Sequence, residues 1–201
     1  MMVSSTPCCK GPDGRTLRLL RGPLLALAVV VCVAAARAEG IHIKSAELIA
    51  SDAGYSLEAN YEITLSHTLE EALLRGLALP FVIDFELTYP RWWTLNLWNR
   101  TIAQFRQQHR LSYNALTRQY RLSFGNLHQN FDTLEEALGV LGRLRERAVF
   151  TREDVDPDNV YLAELRLRLD TSQLPKPLQI NALASREWNL SSDWYRWTFR
   201  P

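Results

Sequence analysis

Arginine and tryptophan are concentrated in the segment YPRWWTLNLWNR, which spans residues 89–100, and four more arginines follow in residues 106–121. Guanidinium groups bind anions through paired hydrogen bonds and stack on aromatic rings. This composition predicts a surface that binds an anionic ligand, with the candidate ligand-binding residues Arg91, Trp92, Trp93, Arg118 and Tyr120. The same residues also fit a structural role, in which these arginines pair with acidic residues across strands and the tryptophans fill the core.

Asp84 and Glu86 are two residues apart in an apolar segment and would point to the same side of a strand. Two neighbouring carboxylates can perform acid and base catalysis if the pKa of one of them is raised. A solvated face of a sheet explains the same spacing, and we favour it. We therefore predict no catalytic residue in the chain.

Asp154, Asp156 and Asp158 occupy the first, third and fifth positions of a calcium-loop pattern. The pattern then fails, because Asn159 stands where the turn requires glycine and Glu164 lies one position before the bidentate ligand. We interpret the segment as an acidic turn and predict no metal site.

Motifs of nucleophilic catalysis, of zinc proteases and of phosphate-binding loops do not occur in the sequence. The histidines are scattered, with no pair at metal-ligand spacing: His42, His67, His109 and His128. Surface or hydrogen-bonded roles are expected for all of them. No cofactor is predicted.

The first 38 residues have the features of a secretory signal peptide. Basic residues precede the apolar run LLALAVVVCVAAA, and Ala36 and Ala38 fit the positions before a cleavage site. The run is shorter than the roughly 20 residues that span a bilayer, so an uncleaved membrane anchor is the less favoured alternative. We expect a signal peptide over residues 1–38 and one exported domain over residues 39–201, located in the periplasm or cell envelope.

Cleavage would remove every cysteine and methionine, which excludes disulfides and thiol chemistry from the exported domain. Charge is distributed unevenly along the rest of the chain. Residues 39–86 carry nine acids and two bases, whereas residues 87–131 carry six arginines and no acid. We do not expect an exported protein to meet nucleic acid, so we predict no nucleic-acid partner. The basic segment instead favours an envelope protein partner, with an anionic lipid or glycan as alternatives.

The elements that must position these residues follow from apolar periodicity. IHIKSAELIAS and GYSLEANYEITL predict a hairpin that turns at residues 52–54. LPFVIDFELTYP predicts a half-buried strand with one apolar face: Phe81, Ile83, Phe85 and Leu87. RLSYNALTRQYRLSF predicts two strands that turn near Asn114, and VYLAELRLRLD and DWYRWTF predict two more.

The hexapeptide TLEEAL occurs at residues 68–73 and again at residues 133–138. Each copy predicts a helix that starts with a capping box, Thr68 with Glu71 and Thr133 with Glu136. The first helix is expected over residues 69–77, and the second is expected to end near Arg147. We interpret the repeat as recurrent capping chemistry rather than a duplicated unit, because the similarity stops within a few residues.

RWW, RLSYNALTRQYRLSF, TLEEAL, LPKPLQ and the W-x-L-S-S-x-W pattern of residues 188–194 together resemble the exported bacterial family called domain of unknown function 4390. The resemblance covers nearly all of residues 39–201. It implies a signal peptide, one domain and no established activity. Genes of this family often neighbour a membrane sensor kinase, so the resemblance also implies a role beside such a kinase.

These observations predict an α+β fold that is mainly antiparallel β and sandwich-like, with two helices packed on one side or end. The predicted function is a non-catalytic exported envelope protein that binds a partner, and a two-component sensor kinase of the membrane is the specific expectation. Two alternatives remain: an envelope enzyme that acts on cell-wall or lipid material, and a small outer-membrane barrel.

Overall fold

The computed structural model describes residues 40–89 and 100–201. The predicted signal peptide and the predicted site residues Arg91, Trp92 and Trp93 lie outside the described residues. In chain order the elements are β1 (Gly40–Ser51), β2 (Gly54–Thr64), α1 (His67–Leu74), β3 (Leu79–Tyr89), β4 (Arg100–Asn114), β5 (Gln119–Phe124), β6 (Leu127–Phe131), α2 (Leu134–Leu141), β7 (Arg143–Phe150), β8 (Tyr161–Leu169), α3 (Lys176–Ala184) and β9 (Tyr195–Phe199).

The strands form two antiparallel sheets, with the strand orders β1-β2-β7 and β6-β5-β4-β3-β8-β9. The predicted hairpin is confirmed as β1 and β2, and the predicted turn near Asn114 joins β4 to β5. The fold is therefore the α+β, sandwich-like arrangement that the alternating patterns indicate.

One hydrophobic core joins the two sheets. At one end, Tyr55 of β2 lies 5.0 Å from Phe199 of β9 and 5.1 Å from Phe150 of β7, measured between ring centroids. Aromatic pairs at these distances stabilise beyond the apolar area that they bury. The three rings thus hold the edge of the larger sheet against the smaller one.

β3 is buried on both faces, which corrects the prediction of a half-buried strand. Its apolar face is almost completely excluded from solvent, but Val82, Asp84 and Thr88 on the opposite face are also at most 7% exposed. The strand lies between β4 and β8, and long side chains from these neighbours cover its polar face. A period of two in one sequence segment cannot reveal such cover.

The two TLEEAL copies begin their helices differently. Thr133 caps α2 as predicted, and its side chain accepts a hydrogen bond from the Glu136 backbone nitrogen. The cap of α1 is Ser66 instead of Thr68, because Ser66 Oγ accepts from the Leu69 nitrogen while Thr68 donates to the Glu187 carboxylate. The helix therefore starts earlier than predicted, and it ends at Leu74.

Four further elements differ from the predictions. α2 ends at Leu141, so the segment up to Arg147 is not helical and forms the strand β7. The strand β6 and the helix α3 were not predicted. α3 begins within LPKPL, with Pro175 just before the helix and Pro177 in its first turn. Proline is well tolerated in the first turn of a helix, where its missing N–H has no partner to lose.

The W-x-L-S-S-x-W segment extends the larger sheet before β9 begins. The Ser192 nitrogen donates to the Leu167 carbonyl, and Ser192 Oγ accepts from the Leu167 nitrogen. Trp188 and Leu190 are buried in the core. The motif that carries much of the family resemblance therefore satisfies the free edge of β8.

No helix within residues 40–89 and 100–201 combines the length and the apolar character that crossing a bilayer requires.

Two glycines at the end of α2 should respond oppositely to alanine. At Gly142 a Cβ would lie 2.6 Å from the Tyr61 carbonyl oxygen, so Gly142→Ala should lower the free energy of unfolding by about 1–3 kcal/mol through overpacking. Gly139 lies within the helix with open space around it, so Gly139→Ala should raise the free energy of unfolding by about 0.5–1 kcal/mol. Urea denaturation measures both values, and equal effects of the same sign would contradict the close approach of α2 to β2.

Candidate functional site

Asp84 forms the centre of an ionic cluster on the polar face of the six-stranded sheet. Its Oδ1 accepts from Arg106 Nε at 2.7 Å, and its Oδ2 accepts from Arg168 Nε at 3.0 Å and from Arg166 Nη2 at 3.3 Å. Arg106 comes from β4, and the other two arginines come from β8. The carboxylate therefore connects three adjacent strands.

The cluster keeps Asp84 ionised. Burial opposes the charged form, but hydrogen bonds from Arg106 and Arg168 and the charges of both arginines outweigh burial and lower the pKa of Asp84. A general acid needs the opposite shift. The interpretation of Asp84 as part of a solvated face is wrong, and the alternative of pairing across strands describes this residue correctly.

Glu86 is not a second member of the same cluster. It accepts a hydrogen bond from Thr101 Oγ1 at 2.8 Å, and its cross-strand neighbour on β8 is Glu164. Glu164 pairs in turn with Arg196 of β9. Asp84 and Glu86 thus belong to separate polar contacts on one face.

The acidic segment after β7 is a hydrogen-bonded turn. Asp154 accepts from the nitrogen and the hydroxyl of Thr151, and Asp156 Oδ1 accepts from the Asp158 nitrogen. Within the described part of the chain, no three His, Cys, Asp or Glu side chains lie close enough together to hold a metal ion.

The two predicted site residues that the structure describes lie in different environments. Arg118 is exposed in the turn between β4 and β5, with the positive φ of 54°. Tyr120 is half-buried, and its ring lies 4.9 Å from the ring of its cross-strand partner Tyr113. Burial, followed by the proximity of Tyr113, raises the pKa of Tyr120. Tyr120 therefore packs against the core while Arg118 faces solvent.

The β4–β5 turn itself is well defined. Asn114 Oδ1 accepts hydrogen bonds from the backbone nitrogens of Leu116 at 3.0 Å and Thr117 at 3.5 Å. Such bonds to the following backbone stabilise tight turns. Leu116 is 96% exposed, so the ordered tip presents an apolar side chain directly to solvent.

Arginine stacks on tryptophan in the structure, but at residues that the sequence analysis did not select. The Arg166 guanidinium carbon lies 4.3 Å from the centroid of the Trp194 ring. Arg166 also contacts Asp84, so the stacked pair belongs to the ionic cluster. The two residues are far apart in sequence, and no local pattern could have joined them.

A cleft of about 450 Å³ opens between the larger sheet and β7. His109 of β4 lies in its wall, with Nε2 at 3.0 Å from Gln107 Nε2 and its ring centroid 5.8 Å from that of Phe124. Burial and then the charge of Arg147 lower the pKa of His109 to about 4, so the imidazole is neutral at pH 7. A surface or hydrogen-bonded role is what the sequence predicts for His109, and no local pattern places it in a cleft.

Substitution of Asp84 should destabilise the fold. Asp84→Asn leaves three arginines without their carboxylate, which should lower the free energy of unfolding by about 2 kcal/mol; the loss is moderated because Arg106 keeps contact with water. Glu86→Gln is the matched control and should change the free energy of unfolding by less than about 0.5 kcal/mol. Urea denaturation at pH 7 compares the two, and an equally small loss for Asp84→Asn would contradict the central role of this carboxylate.

Acid should destabilise the protein through His109. The imidazole has a pKa near 6.5 in the unfolded chain and about 4 in the folded protein. The neutral imidazole therefore contributes its full stabilisation above the unfolded-state pKa, and this contribution is lost as the pH falls from that value toward the folded-state pKa. The loss between pH 7 and pH 5 should be about 2 kcal/mol and should disappear in His109→Gln. Urea midpoints at both pH values test this, with the exposed His128→Gln as control; an unchanged pH dependence in His109→Gln would contradict the buried neutral imidazole.

Comparison with known proteins agrees with the family resemblance seen in the motifs. No curated protein and no solved structure matches the chain. The sequence model of the family described as domain of unknown function (DUF4390) matches residues 38–198, which include every element of the described fold except the last residue of β9. The chain therefore belongs to the DUF4390 family.

Proposed function

We propose that the protein is a non-catalytic binding protein of the cell envelope, and that the β4–β5 hairpin carries the surface for an acidic protein partner. The observation that carries this proposal is the uncompensated charge of the hairpin. Residues 100–131 contain five arginines and no carboxylate. Among the described residues, only Arg106 of these five forms an ion pair.

The shape of the hairpin tip supports a binding role. Arg118 lies beside the exposed Leu116 in a turn that Asn114 holds in place. An ordered tip loses little conformational entropy on binding, and an apolar side chain within a basic surface is typical of an interface centre with a polar rim. Exposed arginines also accelerate the encounter with an acidic partner.

The ionic cluster supports binding over catalysis. An envelope enzyme that used Asp84 would need a carboxyl group able to release and recover a proton near neutral pH. Three arginines bind this carboxylate and stabilise its charged form. Asp84, which is the nearest to a catalytic candidate in the sequence, therefore stabilises the sheet through ion pairs.

The partner class follows from the expected location and from the family. The N-terminal basic and apolar segments favour export, and the family resemblance associates such proteins with a membrane sensor kinase. We propose that the acidic partner is the exported region of such a kinase. An anionic lipid or glycan is the outcome that would replace it.

Photo-crosslinking in intact cells tests this proposal. A photoreactive amino acid at Leu116, which is 96% exposed, should capture a membrane sensor kinase, whereas the same probe at Ile180 on α3, which is 71% exposed, should not. Arg110→Glu with Arg118→Glu should reduce the captured fraction at least tenfold, because both substitutions reverse charges of the hairpin.

The control changes net charge equally at a distance from the hairpin. Lys176→Glu with Arg200→Glu, both at exposed positions, should leave capture unchanged. Equal loss in both double variants would indicate a general charge effect, and capture of lipid or glycan alone would overturn the protein partner. Capture of a kinase from Ile180 and not from Leu116 would overturn the hairpin as the binding surface.

A further inference from the structure

The cleft beside His109 has an apolar wall. Leu122 and Phe124 of β5 line one side, and Val140 of α2 and Leu144 of β7 line the other. Val140 is 38% exposed, although Leu122 and Leu144 are buried. The volume of about 450 Å³ is within the range of roughly 300–1,000 Å³ that is common for small-molecule sites.

The lining of this cleft is also basic. Arg143, Arg145 and Arg147 of β7 all line it, and no acidic side chain does. None of the three forms an ion pair with a carboxylate of the described residues. Three cations beside an apolar wall favour a ligand whose apolar part packs against that wall and whose anionic group contacts the arginines.

An irregularity in β7 determines the side to which Arg147, one of these three arginines, points. Leu57 of β2 pairs with Arg147, and Ala59 pairs with Leu144, so Glu58 alone lies opposite Arg145 and Glu146. A β-bulge of this kind reverses the alternation of side chains beyond it. With regular pairing, Glu146 would follow Leu144 on the interior face; the bulge places Arg147 there instead.

Two observations support this placement. Glu146 has a φ of 44°, the left-handed conformation that is strained for a residue with a side chain, as the bulge requires. The Arg147 guanidinium carbon lies 5.4 Å from the centroid of the Phe105 ring, which belongs to the interior face of β4. The strained backbone at Glu146 therefore accompanies a bulge that directs Arg147, rather than Glu146, toward the cleft.

The wall also contains unused hydrogen-bonding groups. His109 Nδ1 and Gln107 Oε1 are buried and have no hydrogen-bond partner among the described residues. Buried polar atoms normally have partners, so each of these two atoms calls for one that the described residues do not supply. Both residues line the cleft, so a ligand in the cleft can contact them.

We propose that this cleft binds a single-chain anionic amphiphile, with its hydrocarbon chain against Leu122, Phe124 and Val140 and its carboxylate or phosphate on Arg143, Arg145 and Arg147. The proposal is independent of the partner surface, which lies at the hairpin tip. A fatty acid and a lysophospholipid with an anionic head group share this chemistry.

Calorimetry with defined probes tests the proposal. Dodecanoate and dodecyl phosphate, each below its micelle concentration, distinguish the two sources of the anionic group, and binding of either supports the site. Dodecyltrimethylammonium has the same chain with a cationic head, and inorganic phosphate has the head without the chain. Both should bind at least tenfold more weakly, a difference of about 1.4 kcal/mol.

Variants of the intact protein locate the binding. Arg147→Gln should weaken the better anionic amphiphile at least tenfold, whereas Arg200→Gln, at an exposed position outside the cleft, should not change its affinity. Binding should also shift the NMR signals of the His109 imidazole and the Phe124 ring in the unsubstituted protein, a readout that does not require any variant to fold.

Four outcomes would overturn the proposal. They are equal binding of the cationic amphiphile, equal binding of inorganic phosphate, no binding of either anionic amphiphile, and binding that leaves the His109 and Phe124 signals unchanged. The first outcome would show that the cleft binds hydrocarbon chains whatever the charge of the head group. The second would show that it binds anions whether or not they carry a hydrocarbon chain.

Discussion

The attraction between Asp84 and three arginines is the interaction on which the larger sheet depends. β3 lies at the centre of that sheet, and its apolar face already forms part of the core. On the other face, the carboxylate joins β3 to β4 through Arg106 and to β8 through Arg166 and Arg168. A buried charge is tolerated only when it is paired, so the cluster also specifies which residues of the three strands lie opposite one another.

The two faces of the hairpin β4–β5 have different chemical roles. One face contributes Gln107, His109, Leu122 and Phe124 to the cleft, and the tip and the other face carry the arginines of the partner surface. Antiparallel strands alternate their side chains, so one hairpin can serve an interior cavity and an exterior surface at once. If both proposals hold, a ligand in the cleft contacts the element that binds the partner, and this provides a physical route for coupling between them.

Much of the fold follows from local pattern. The β1–β2 hairpin, the alternation of β8, the turn near Asn114 and the Thr133 cap were all predicted, because each depends on neighbouring residues. The errors have a common cause. The predicted end of α2 is too late because the following residues form β7, whose hydrogen bonds come from β2. The predicted cap of α1 is wrong because Thr68 donates its hydrogen bond to Glu187, which is more than a hundred residues away in the sequence.

The candidate sites also depend partly on local sequence and partly on tertiary structure. The sequence by itself determined the family, the sandwich-like β architecture and the concentration of arginine without carboxylates in the middle of the chain. Only the tertiary structure decided that Asp84 is buried among three arginines, that Arg166 stacks on Trp194, and that a bulge turns Arg147 instead of Glu146 toward the cleft. The reason is physical: charge compensation, stacking and strand register depend on which residues meet across strands, and those distances are set by the packing of the whole chain.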